Sequence, residues 1–521
     1  MIQSTRMKKY TSTAIYFIAL FCFYIITISA FRNMARESFL ASLLFLPVLV
    51  AFIILQKKKY KISDKKILVF QVVAHVASFI LTIIISIWGS CNFGWDWKGV
   101  MTDATNIVTN GYNHSQDYYL RYPNNQLWLV ILTTFFYFCK SALGIVSADG
   151  LRIAATILSI IFVRVACIFM FLSFKKIFSP KKARIFDIGV MMFLPISMYA
   201  QFAYTDTIGI VLVSMMIFFF LNIKDGSQQQ KRNTKYYLQI VIIALLTALL
   251  YKLKIMALIV PIAIFIYEVL TSSKIFQVVK KYSLIVVLSI IFIVALSSQS
   301  ILSIGMVDKI DSKRYEFPVT HWIMMSLNPN SIGGFVTEDS LYTQGIEGYT
   351  AKKRATIDKI KERINQMGPL GTLKHIFDTK MRRHWGSSLL SADAYISVLP
   401  IYPNSFTQQL FGSQQTGSDN GSENVVEAKY HYICLAYSWI VYMLLIIGCF
   451  MSVILSYKNK KLHFSQIAIV GIFVFFLLWE VNPRYLFVFL PVIFISSAIG
   501  WEKINMFMSN KGAKIHKILA S

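Results

Sequence analysis

Apolar runs long enough to cross a lipid bilayer, or nearly so, recur along this chain at about 13–31, 39–55, 67–89, 152–173, 185–203, 208–223, 236–251, 255–270, 282–303, 432–455, 466–479 and 485–499. A hydrocarbon core of about 30 Å takes roughly 20 apolar residues as a helix. No water reaches a peptide group there, so the backbone must satisfy its own hydrogen bonds. The sequence therefore predicts an all-α integral membrane protein, a bundle of about 12–13 transmembrane helices with outer-face loops. The balance of 56% hydrophobic against 15% charged residues agrees, since soluble domains carry about a quarter charged residues.

The formal net charge of +27 would point to nucleic acid in a soluble protein. Here the basic residues fall in short connectors such as KKKYKISDKK, KKIFSPKKAR and YKNKKLHF. That is the pattern of the positive-inside rule. With the N-terminus inside, these connectors and the Lys-rich tail all lie inside, so both termini are expected to be cytoplasmic. No aromatic-plus-basic motif for nucleic acid is present. The six cysteines show no CxxC spacing, and five lie within or beside apolar runs (Cys91 is in an outer loop), which argues against a disulfide framework. The eight histidines show no metal-ligand spacing.

Residues 126–145 break the parity, being apolar enough to span. If they cross once, the basic KKIFSPKKAR loop flips outside, so a partial segment that starts and ends on the outer side is preferred. The chain divides into a two-span extension (1–66), a membrane module (67–303) whose first outer loop covers 90–125, an extracytoplasmic region (304–431), and final spans with a basic tail (432–521). Within the third part, Ile357, Ile360, Ile364 and Met367 recur at helical spacing opposite Lys352, Lys353, Arg354, Lys359, Lys361 and Arg363, and GPLG at 368–371 reads as the stop. This describes an amphipathic helix on anionic lipid or against the bundle. Residues 404–424 read as a mobile loop.

Carboxylates beside the hydrocarbon boundary suggest chemistry on something held there. The loop GWDWKGVMTDATNIVTNGYNHSQDYYLRYPNN carries Asp96, Asp103, Asp117 and Arg121. Asp96, between Trp95 and Trp97, reads as a general base or as a plain helix cap. Asp103, two helical turns on, would share its face. The same threading places Asp206 (YTDT), Lys252 and Lys254 (YKLK), and Glu480 and Arg484 (EVNPRY) outside. Arg484 suits bidentate phosphate binding. The lysines run against the charge bias, which a phosphate partner would explain, although snorkelling is the simpler reading. Arg121 is a further phosphate candidate. Tyr122 and Asn124 orient substrate or form a turn, and His321 and Trp322 line an acceptor site or pack within a loop.

As an ordered set, the outer-loop Asp, YPNN, YTD, the Lys-bearing turn, HWIMM…GG and NPRYLF resemble the polytopic GT-C superfamily of glycosyltransferases over roughly residues 67–499. The set is most similar to Gram-positive bacterial members that decorate cell-surface polymers. The resemblance implies a bacterial plasma-membrane enzyme with an extracytoplasmic site, and a catalytic Asp in the first outer loop, here Asp96 with Asp103 as alternative. It implies an undecaprenyl-phosphate-linked sugar as donor and a cell-envelope polymer or glycolipid as acceptor. The chain departs from that pattern by two extra leading spans, a short basic tail and added mass at 304–431. In this reading Arg484, Lys252, Lys254 and Arg121 grip donor phosphate, while Asp206, Tyr122, Asn124, His321, Trp322 and Glu480 contact substrate. The leaving phosphate is already a stabilised anion, so the reaction itself needs no cofactor or metal, though superfamily members differ on metal use. The alternatives are a polymerase or ligase taking polyprenyl-diphosphate glycans, and a lipid-linked sugar flippase or transporter, for which Arg164 is the main intramembrane candidate.

Overall fold

The computed structural model describes residues 2–57, 62–88, 96–111, 116–226, 234–302, 312–396, 409–410, 413–415, 424–426 and 430–519. Cys91, Trp95 and most of 404–424 lie outside the described residues, as does the Asp117 side chain. The membrane part begins with α1 (Ile2–Glu37), α2 (Phe39–Lys57), α3 (Asp64–Trp88), α4 (Asp96–Asn110), α5 (Gln116–Arg121), α6 (Gln126–Leu143) and α7 (Ala148–Ile177). It continues through α8 (Pro180–Met191), α9 (Leu194–Tyr199), α10 (Thr205–Gly226), α11 (Thr234–Leu253), α12 (Ile259–Thr271) and α13 (Ile275–Leu302). A region of shorter helices follows: α14 (Ser312–Tyr315), α15 (Val319–Ser326), α16 (Thr337–Gln344), α17 (Tyr349–Lys374), α18 (Met381–Trp385) and α19 (Ala392–Ile396). The last helices are α20 (His431–Ile454), α21 (Phe464–Leu478) and α22 (Leu490–Leu519). Among the described residues the only strands form one antiparallel ribbon, Ser413–Gln415 with Asn424–Val426. By length and composition nine helices among the described residues can cross a membrane, and three shorter apolar ones accompany them. The chain is an all-α integral membrane protein.

Lipid as solvent turns the helices inside out relative to a soluble core. On α3 the apolar Val69, Phe70, Val72 and Ile80 are exposed, while Gln71, Ser78 and Thr82 are buried. The buried stripe meets polar partners. Gln71 Nε2 and His75 Nε2 reach Asp187 Oδ2 at 2.6 and 2.7 Å. Arg164, the lone basic residue of α7's interior, donates to Ser78 and Thr82. Polar contacts of this kind join helices where apolar burial gives no driving force. Small residues allow close crossing: a Cβ on Gly500 of α22 would lie 1.8 Å from the Gly448 carbonyl oxygen of α20.

Two apolar runs bear on the threading. Residues 126–143 form the continuous helix α6, yet they pack lengthwise on the loop helix α4. Lys140 Nζ donates to the Val108 carbonyl at 2.7 Å. Trp128 Nε1 bonds Ala203 O and Ser159 Oγ bonds Phe202 O, both at 3.1 Å, so early α6 and mid α7 stand at one level. From that level the chain runs roughly 22 Å along α6 and roughly 16 Å back along α7, at 1.5 Å per residue. The turn is made at Gly144, whose φ of 67° is left-handed. The two helices form an antiparallel pair, and each is long and apolar enough to cross a membrane. The run at 185–203, expected as one span, is broken: α8 ends at Met191, and α9 restarts at Leu194 with Pro195 in its first turn.

Helix α17 also differs from the amphipathic reading. Gly368, with φ 65° and ψ 173°, leaves the helical region and divides α17 into two helices just before Pro369, where GPLG reads as the stop. Lys352 and Arg363, expected on a charged outer face, are buried. Lys352 caps the Arg314 and Tyr315 carbonyls, and Arg363 pairs with Asp339. Periodicity assigned those two residues to the wrong face because each meets a partner distant in sequence.

Candidate functional site

Four separate breaks in helical structure meet at one place. Helix α4 starts at Asp96. Helix α10 starts at Thr205 and carries Asp206 in its first turn, where the helix end favours negative charge. Lys254 occupies the interruption between α11 and the 3-10 turn Ile255–Leu258. Arg484 lies in the 3-10 segment Pro483–Phe489, whose entry is fixed by Asn482 Oδ1 accepting from Arg484 N at 3.0 Å. Lys254 Nζ stands 2.7 Å from Asp206 Oδ1, and Arg484 Nε stands 3.8 Å from Asp206 Oδ2. Asp206, Arg484, Lys254 and Glu480 are all buried.

Tyrosine rings surround the two cations. The Tyr204 ring centre is 5.9 Å from both Lys254 Nζ and Arg484 Cζ. Tyr485 lies 5.3 and 5.5 Å from the same atoms, and Tyr395 lies 6.0 Å from Arg484. Such faces hold cations without neutralising them. Tyr485 donates its hydroxyl to Glu480 Oε1. Glu480 Oε2 is buried without a hydrogen-bond partner among the described residues. Burial raises the Glu480 pKa and lowers that of Lys254, the latter opposed by Asp206.

Asp96 is half-buried at the rim and within electrostatic reach of Tyr204, Lys254 and Glu480. A relay links it to the cage. Tyr204 donates to Asn125 Oδ1 at 2.8 Å, Asn125 Nδ2 donates to the Tyr118 oxygen at 2.6 Å, and Tyr118 hydrogen-bonds Asp96. Burial, then the neighbouring Tyr204 and the Asp96 charge, raise the Tyr118 pKa, so its hydroxyl stays protonated. A further constraint stands behind Tyr199, which donates to the Leu390 carbonyl at 2.5 Å. Leu390 and Ser391 both have left-handed φ, 53° and 61°. Such strain costs on the order of 1–3 kcal/mol per residue and persists only where neighbours impose it.

The other predicted residues are placed as follows. Asp103, two turns along α4 from Asp96, accepts from Tyr119 at 2.8 Å. Lys252 points away and bonds Ser297 at 3.0 Å. Asn124 donates to Asn125 Oδ1 at 3.1 Å. Tyr122 packs against Tyr118, Phe317 and Trp322, and Arg121 acts on Lys352. His321 is fully buried, with Nδ1 2.7 Å from Thr343 Oγ1, and burial pushes its pKa down to about 4. Trp322 stacks on Trp479 at 5.8 Å. Tyr118, Asn125, Tyr204, Tyr395 and Tyr485 were not singled out as site residues from the sequence. The tyrosine density of 118–122 is the signal that points to Tyr118. Among the described residues no group of three or more His, Cys, Asp or Glu is placed to hold a metal ion.

No curated protein matches the chain. Among solved structures it is similar to the oligosaccharyltransferase AglB of Archaeoglobus fulgidus in complex with an inhibitory peptide and a dolichol-phosphate, at 12% identity and a TM-score of 0.39 over 85% of this chain and 52% of that one. The apo form of the Archaeoglobus fulgidus oligosaccharyltransferase gives 13% and 0.41 over 88% and 52%. ArnT of Cupriavidus metallidurans bound to undecaprenyl phosphate gives 11% and 0.34 over 84% and 78%. The chain spans about half the length of the oligosaccharyltransferases. These scores are too low to establish a shared fold. One family model, described as conserved hypothetical integral membrane protein, matches residues 5–505, and the chain belongs to that family.

Proposed function

We propose that this chain is a GT-C-like glycosyltransferase that moves a sugar from an undecaprenyl-phosphate-linked donor to a cell-envelope polymer or glycolipid on the outer face of the membrane. The observation that carries the reading is the meeting of Asp96 with Asp206, Lys254 and Arg484, drawn from four distant parts of the chain. Two caged cations beside a half-buried carboxylate suit a reaction that releases phosphate while an incoming hydroxyl loses a proton. The basic connectors support cytoplasmic termini and an outer site.

In this mechanism an acceptor hydroxyl attacks the anomeric carbon and its proton passes to Asp96. The bond from that carbon to the phosphate oxygen breaks, and its electron pair leaves with the lipid phosphate. Arg484 and Lys254 hold the added charge. One displacement inverts the anomeric configuration. Tyr118 and Asn125 fix the Asp96 carboxylate relative to the cage, and Asp206 fixes the two cations.

The test is to incubate the purified protein with a panel of undecaprenyl-phosphate sugars and a cell-wall extract. Wild type should consume one donor, and Asp96→Asn should lower turnover by about 10²–10⁴. Equal turnover by the variant would remove Asp96 as the base. No consumption of any donor would reject the transferase reading.

A further inference from the structure

A cavity of about 780 Å³ lies in the part of the chain between α13 and α20. One wall is the turn Asn328–Ser331 with Phe335 and the start of α16, and the other is the face of α17 carrying Lys359, Glu362 and Gln366. The floor is the buried pair Asp339–Arg363. Arg363 Nη1 donates to Asp339 Oδ2 at 2.9 Å and to the Met324 carbonyl at 2.5 Å, while Nη2 donates to Asp339 Oδ1 at 2.5 Å. Asn328 Nδ2 completes the carboxylate at 3.1 Å. The floor charges thus satisfy each other. On the rim Lys359 pairs with Glu362 at 2.7 Å. Counting Glu338, the lining holds three carboxylates against two cations, so it offers a phosphate or anionic polymer no net attraction.

What the lining does offer is neutral hydrogen bonding. Asn330, Ser331, Thr337 and Gln366 present both donors and acceptors. Phe335, 61% exposed, sets an apolar ring at the edge of this polar cavity. Hydroxyls on an otherwise apolar ring face are the chemistry of an uncharged saccharide, and an aromatic face beside amide and hydroxyl groups complements it. The cavity is also joined to the site described above. The Gly333 carbonyl accepts from Val481 N at 2.8 Å, and a Cβ on Gly334 would lie 3.2 Å from the Val481 carbonyl oxygen. Val481 is flanked by Glu480 and by Asn482, which fixes Arg484. The wall that carries Phe335 is therefore braced on the same backbone that positions the cation cage.

We propose that this cavity binds a neutral saccharide segment of the acceptor, an assignment that rests on the transferase reading for its link to turnover but not for binding itself. The full-length protein is titrated calorimetrically with neutral hexose and N-acetylhexosamine oligosaccharides of two to six units, and with poly(glycerol phosphate) as the anionic probe. At least one neutral oligosaccharide should bind. Phe335→Ala should weaken that binding about three- to tenfold, and Gln366→Ala should weaken it measurably. Asp96→Asn should leave it unchanged, and the anionic probe should not compete. Preferred binding of poly(glycerol phosphate), no binding of any neutral oligosaccharide, or binding indifferent to Phe335→Ala would overturn the assignment. In turnover assays, an acceptor KM unchanged by Phe335→Ala beside an inactive Asp96→Asn sinks the cavity assignment and leaves the transferase reading standing. Saccharide binding that responds to Phe335→Ala, with no donor consumed by wild type, supports the cavity and sinks the transferase reading instead.

Discussion

The molecule buries an arginine beside an aspartate in two regions, and the two pairs are wired differently. At the floor of the cavity beside α16 and α17, Arg363 meets Asp339 fork to fork, with a third bond to a carbonyl. In the cage of Asp206 and Lys254, Arg484 Nε stands 3.8 Å from Asp206 Oδ2, Lys254 shares that carboxylate, and tyrosine rings face both cations. The first arrangement satisfies both partners and leaves little for a ligand. The second sets two cations against one shared carboxylate, between tyrosine rings. A pair closed on itself serves stability, whereas the proposed grip on donor phosphate rests on the carboxylate that two cations share.

Variants can break that contrast. The largest expected effect is from Arg363→Met, which leaves Asp339 charged and buried and should cost about 3–5 kcal/mol of stability. Thermal unfolding in detergent reads it. Pairing it with Asp339→Leu should recover most of the loss, and a double variant as unstable as the single would contradict the reading of a closed pair. Arg484→Met should act on binding instead, weakening donor affinity by about 1.5–3 kcal/mol with a smaller change in melting temperature. An unchanged donor affinity would mean that the cage does not grip phosphate.

Lys380 joins the two regions. It is fully buried and donates to Ser326 Oγ at 3.0 Å and to the Leu477 carbonyl at 2.8 Å, while Gly333, at a φ of 81°, lies so close that a Cβ there would meet Lys380 Cγ at 2.4 Å. Burial pushes its pKa down to about 7, with Glu480 opposing the shift. The unfolded chain holds that proton up to about pH 10.4. Between these values the unfolded state binds more protons, so stability should rise with pH from about 7 to 10 and lose that contribution as pH falls through 7. Lys380→Met should flatten the rise; equal slopes for wild type and variant would refute the assignment. The smallest effect should come from Lys252→Met. This lysine turns from the cage toward Ser297, so donor affinity should stay within about 0.5 kcal/mol of wild type.

The contrast between Lys252 and Lys254 shows how far the sequence reaches. Both were candidates on the same grounds, a basic residue at the outer end of a span. Positions two apart on a helix face nearly opposite sides, so only one of them can reach Asp206, and the break at Leu253 decides which. Asn124 and Asn125 present the same ambiguity: the turn Pro123–Asn125 directs Asn125 to Tyr118 and Tyr204. The break between α8 and α9 left one signal in the sequence, Pro195, which hydropathy passes over because the run around it stays apolar.

The sequence by itself determined that this is a helical membrane protein, and where most of its spans run. Solvation by lipid acts on each stretch of chain locally, so twenty residues carry their own answer. Only the tertiary structure decided that Asp96, Asp206, Lys254 and Arg484 share one cage while Arg363 and Asp339 close on each other. Those pairings join residues far apart in sequence, and a side chain's direction at a helix end depends on breaks that hydropathy does not record.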